Sequence, residues 1–91
     1  MIAKRHKLKL SDVKQIKITG DYIRLDALLK YAAIASTGGE AKIQIQDGNV
    51  FVGGERCTQR GKKIHPGDVV RYGNGSSAVW LVVVNGQINN D

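Results

Sequence analysis

Cys57, His6 and His65 are the residues of this chain best suited to act as nucleophile, base or metal ligand, and their placement speaks against all three roles. Catalysis of that kind needs a nucleophile beside a base, with a third group to orient it. Cys57 falls in a strand-like segment, His6 near the start and His65 in a turn. One cysteine and two scattered histidines do not make a zinc site, and no phosphate-loop motif is present. No Asp or Glu pair has the spacing of a shared site. The expectation is a protein that is not an enzyme, with no cofactor, no metal and no small-molecule substrate.

A different chemistry is available at Thr37-Gly38-Gly39-Glu40-Ala41-Lys42. Thr37 and Glu40 have the spacing of a capping box, in which a hydroxyl and a carboxylate each satisfy a backbone N–H at a helix start. The intervening glycines have no Cβ and permit close approach of a ligand. Helix N-termini offer unpaired N–H donors and partial positive charge, and Lys42 adds a full charge one turn inside. These residues fit a seat for a phosphate backbone. Taken alone, they fit an ordinary capped surface helix equally well.

Net charge raises the weight of the first reading. Fourteen Lys and Arg against eight Asp and Glu give +6 at pH 7, which points to a polyanionic partner, nucleic acid before membrane surface. Lys4, Arg5, Lys7 and Lys9 open the chain without an acid, and Arg56, Arg60, Lys62 and Lys63 are clustered further on. No apolar run approaches the ~20 residues that span a bilayer, and the charged N-terminus lacks the apolar core of a signal peptide. A cytoplasmic protein without a membrane partner is expected.

The elements that must position these residues follow from periodicity. Residues 1–13 read as a basic arm or frayed first strand, 14–84 as one domain and 85–91 as a polar tail. Ile16 and Ile18 alternate with polar neighbours, the pattern of a half-buried strand. Leu25, Leu28, Leu29 and Ala32 form a helical stripe, predicting a helix over 23–35. Ala41, Ile43 and Ile45 alternate like a strand, but the capping box and Asp47-Gly48 predict a helix there. Strands are then expected at 50–52, 55–58, 69–72 and 79–84, with a turn at Gly53-Gly54 and another at Pro66-Gly67-Asp68. The last of these, rich in valine, is apolar on both faces. It should lie centrally in a sheet or seal against a partner chain.

Several ordered motifs together resemble a known family. They are Arg24-Leu25-Asp26-x-Leu28-Leu29-Lys30, Thr37-Gly38-Gly39-Glu40-Ala41-Lys42 and Arg60-Gly61-Lys62-Lys63-Ile64-x-Pro66-Gly67-Asp68. The span from Tyr22 to Tyr72 resembles the RNA-binding domain named after the fourth protein of the small ribosomal subunit, the αL motif. It is most similar to that domain's stand-alone bacterial YaaA-like and YbcJ-like versions. The resemblance implies an α+β fold, two helices packed on a small, strongly bent antiparallel sheet. It also implies non-catalytic binding of structured RNA, ribosomal or transfer-like. A monomer is expected over a dimer on separate grounds, the central place open to the apolar last strand. Carried over by position, the binding residues are Arg24, Lys30, Thr37, Gly38, Gly39, Lys42, Arg60, Lys62 and Lys63. Gly53 and Gln59 depart from the pattern, where asparagine and a second arginine are usual.

The chemistry agrees with the resemblance. Duplex RNA hides its bases in a deep groove, so a small module reads shape through phosphates and 2′-hydroxyls, using Lys, Arg, hydroxyls and helix N-termini. One Phe, one Trp and three Tyr make a base-stacking platform poorly supported. The competing reading is a protein-interaction adaptor that uses the apolar last strand and leaves the basic face solvated.

Overall fold

A computed structural model describes residues 13–86. The basic N-terminal segment, with His6, and residues 87–91 of the polar tail fall outside the described residues. Strand β1 (Val13–Ile18) is followed by the short β2 (Ile23–Arg24), α1 (Leu25–Tyr31) and α2 (Gly38–Gln46). Strands β3 (Val50–Val52), β4 (Glu55–Arg56), β5 (Lys63–Ile64), β6 (Val69–Tyr72) and β7 (Val79–Asn85) complete the chain. Five strands form one sheet in the order β1-β7-β6-β3-β4, while β2 and β5 pair as a separate two-stranded ribbon.

The α+β class and the two helices match expectation, but the sheet is mixed rather than antiparallel. β1 runs parallel to β7, with Ile16 beside Val83. Both helices and five strands intervene between these two, giving the chain the length that a parallel crossover requires. β7 is thereby central, flanked by β1 and β6, so neither of its edges is open.

Alternation along the strands divides the large sheet into two faces. Val50, Val70, Leu81, Val83 and Ile16 point toward the helices and are buried. Against them pack Leu25, Leu28 and Leu29 of α1 with Ala41 and Ile45 of α2, all inaccessible to solvent. Each such leucine or isoleucine contributes about 1.5–3 kcal/mol by leaving water. Ile43, the residue that made α2 look like a strand, is instead turned outward and is 57% exposed. Only the i, i+4 pair Ala41 and Ile45 was needed inside.

Helix α1 is shorter at both ends than its apolar stripe suggests. Ile23 and Arg24 are extended because they pair with Ile64 and Lys63, and the Leu25 amide donates to the Lys62 carbonyl at 2.9 Å. At the other end Ala33 adopts φ 63°, and the amides of Ala33 and Ile34 turn back to the carbonyls of Lys30 and Leu29. This is a Schellman ending with alanine where glycine is usual. The expected return strand at 55–58 stops at Arg56, which places Cys57 beyond it, half-buried against the core. The Gly53-Gly54 turn has φ of 59° and 89°, the left-handed pair that joins a two-residue hairpin.

Candidate nucleic-acid interface

Asp26 is the residue around which this region is built. It is 6% exposed, the one charged residue in the described core. Arg24 donates to it through Nε and Nη2 at 3.1 and 3.0 Å. Arg60, 34 positions away, donates through Nε at 2.8 Å, and the Ala27 amide adds a fourth bond at 2.8 Å. The Asp26 amide in turn donates to the Arg60 carbonyl at 3.0 Å. Burial raises the affinity of this carboxylate for a proton, but the bonds from Arg24 and Arg60, with the charge of Arg24, outweigh it. Asp26 is therefore held below the usual carboxylate range. Arg24 is correspondingly raised, first by its hydrogen bond to Asp26 and then by that residue's charge.

Two guanidinium groups share one carboxylate, so the cluster keeps a net positive charge. Both remain accessible, with side chains 54% exposed at Arg24 and 38% at Arg60. Their orientation is fixed while outward-facing N–H groups stay free for an incoming anion.

Arg60 also joins this cluster to the start of α2. A Cβ placed on Gly38 would meet Arg60 Nη2 at 3.4 Å. Neither Gly38 nor Gly39 has a left-handed backbone, so folding does not demand glycine at either position. Thr37 caps the helix, its Oγ1 accepting from the Glu40 amide at 3.0 Å. The Glu40 carboxylate accepts from the Ser36 amide, one residue before the expected partner. The first-turn amides of Gly38 and Gly39 have no acceptor among the described residues. The Thr37 hydroxyl, having accepted, can still donate its proton.

The remaining expected residues extend this patch unequally. Lys63 pairs in register with Arg24 on the two-stranded ribbon and stands over the Tyr22 ring at 5.0 Å. Lys62 faces elsewhere, lining an open cleft of about 280 Å³ with Glu55, Arg56 and Gln59. Lys42 is one turn beyond Gly38 on the same helical face, and Lys30 one turn beyond Asp26; both are exposed. Among the described residues Lys30, Lys42 and Lys62 form no ion pair. Arg24, Thr37, Gly38, Gly39, Arg60 and Lys63 are thus gathered by direct contact or shared register.

A family model described as S4 domain matches residues 16–80, most of the chain. The chain belongs to the S4 domain family. S4 domains generally bind RNA and are generally non-catalytic. Comparison with curated proteins gave no match. The S4 match spans both helices, the basic loop and all seven strands in whole or part. Among the described residues no group of three or more His, Cys, Asp and Glu could hold a metal, and no helix is long and apolar enough to cross a membrane.

Asp26 was not visible as an organiser in the sequence, where it reads as a favourable charge in a helix's first turn. The signal was there in part, because Arg24-x-Asp26 places a cation within reach of the carboxylate. Tyr22, which carries Lys63 and leaves 44% of its surface exposed, had no signal of its own.

Proposed function

We propose that this S4 domain docks structured RNA, ribosomal or transfer-like, through its sugar–phosphate backbone. In this reading a phosphate meets the Gly38 and Gly39 amides, with Arg60 beside it and the Thr37 hydroxyl donating. Arg24 and Lys63 continue the contact along the ribbon, while Lys30, Lys42 and Lys62 supply further charge at its margins. The protein acts as a monomer in the cytoplasm, after the stand-alone YaaA-like and YbcJ-like pattern, and performs no reaction on the RNA.

The observation that carries the reading is the pair of unoccupied amides at Gly38 and Gly39 beside the Arg60 guanidinium. Amide donors fixed in a helix and a guanidinium fixed by a carboxylate need little reorganisation to receive an anion. Contacts of this type read shape and position, not base sequence.

If four or five cations meet phosphates, the slope of log affinity on log salt is about −3 to −4.5. Affinity for an RNA hairpin then falls about 60- to 500-fold from 50 to 200 mM salt. The test is Lys42→Ala/Lys62→Ala/Lys63→Ala, whose slope should shrink by about 2 to 3. Elution of that variant from immobilised RNA at the parent's salt concentration would overturn the proposal. Competition between duplex RNA and duplex DNA separates RNA docking from general phosphate binding.

A further inference from the structure

The face of the five-stranded sheet turned away from the helices carries a row that the sequence scatters over thirty positions. In register across β4, β3, β6 and β7 stand Arg56, Phe51, Arg71 and Trp80. Residues paired this way project from the same side of a sheet. The contacts alternate cation and ring. Arg56 stands 5.2 Å from the Phe51 centroid, while Arg71 stands 4.0 Å from Phe51 and 5.8 Å from Trp80. Neither Arg56 nor Arg71 makes an ion pair among the described residues.

No described element covers this face. Phe51, Arg71 and Trp80 are half-buried by one another, and Val69, at 36% exposure, and Val82 continue the apolar surface beside them. Strand positions sharing the face add Lys17 and no carboxylate among the described residues. Two copies placed face to face would oppose Arg56, Arg71 and Lys17 with like charges and nothing to neutralise them. A partner that brings flat rings and negative charge together meets both features. A single nucleic-acid strand does so, its bases stacking on aromatic side chains or guanidinium planes and its phosphates meeting the cations.

We propose that the open sheet face is a second binding surface, for single-stranded RNA, separate from the Asp26 cluster. Unpaired nucleotides cross the row, one base stacking at Trp80 and Arg71 and its flanking phosphates meeting Arg56 and Lys17. The two surfaces are on opposite sides of the sheet, so a single RNA with a helix and a trailing strand can engage both.

Trp80 is the sole tryptophan and reports directly on this face. Titration with a short oligouridylate should quench its fluorescence and shift its indole N–H resonance. Both changes should persist in Lys42→Ala/Lys63→Ala, which leaves the row and the cleft that Lys62 shares with Arg56 untouched. Phe51→Leu with Arg71→Gln should weaken oligouridylate binding at least fivefold, the effect of losing one stacked base. Should that pair fail to fold, the parent's fluorescence and indole shift decide the matter by themselves. An unaltered Trp80 signal would overturn the proposal, as would loss of the response in the double lysine variant. So would a Trp80 signal that depends on protein concentration without RNA and accompanies a dimer in sedimentation, which assigns the face to a second copy.

Discussion

On the helix side of this S4 domain, Arg24 and Arg60 are held by hydrogen bonds to one buried carboxylate. On the open side of the sheet, Arg56 and Arg71 rest against Phe51 and Trp80 and form no ion pair among the described residues, Arg56 donating through Nε to the Gly48 carbonyl. Both arrangements fix a guanidinium that would otherwise sample many rotamers, at different electrostatic cost. Asp26 neutralises part of the charge it orients and makes the arrangement depend on its own ionisation. The aromatic rings orient without neutralising. The helix side is suited to a rigid phosphate at a defined place, the sheet side to a sequence-tolerant strand.

The largest test of this contrast is Asp26→Asn. It removes the charge that two guanidiniums share and should cost about 2 kcal/mol in urea unfolding, a figure scaled for partly exposed arginines. RNA-hairpin affinity should fall with it, because Arg60 is no longer fixed beside Gly38. Fluorescence quenching by oligouridylate should be unchanged. Equal loss at both surfaces would show that they are not independent.

Acid provides a milder version of the same test. Asp26 binds its proton more weakly in the folded protein than in the unfolded chain, so its contribution is complete above about pH 4–5. It is lost as pH falls through the lowered folded value. Urea midpoints measured from pH 7 to pH 2 should hold and then drop, and Asp26→Asn should flatten part of that drop.

Glycine substitutions separate fold from function on the helix side alone. Gly38→Ala and Gly39→Ala meet no protein atom closer than 3.4 Å, so each should leave the fold intact or stabilise it by about 0.5–1 kcal/mol. The added methyl at Gly38 fills the space between its amide and Arg60 and should weaken hairpin binding several-fold. Destabilised variants would place the need for glycine in folding. Ala33→Gly is the smallest change, relieving a left-handed alanine, and should raise stability by up to ~1 kcal/mol without altering either RNA response.

Much of the helix-side surface was legible because its components are local. The Thr37 cap and Asp47-Gly48 outweighed a misleading alternation in α2, and the φ values at Gly53 and Gly54 bear out the turn. The ends of α1 were not legible. Its start is set by pairing of Ile23 and Arg24 with residues some forty positions later, and its end by a backbone reversal at Ala33 that no residue there announces. The parallel β1–β7 pairing was equally hidden, since alternation shows which face of a strand is buried but not its neighbour or direction.

Composition and short-range pattern were thus sufficient for the expectation of a polyanionic partner, for both helices and for the amide-rich start of α2. These depend on net charge, on residues within one helical turn and on backbone geometry particular residues favour. Only the folded chain could decide that Asp26 joins Arg24 to Arg60, or that positions 51, 56, 71 and 80 form one row. Those contacts cross long stretches of chain, and their register is fixed by the packing of the whole core rather than by any neighbour in sequence.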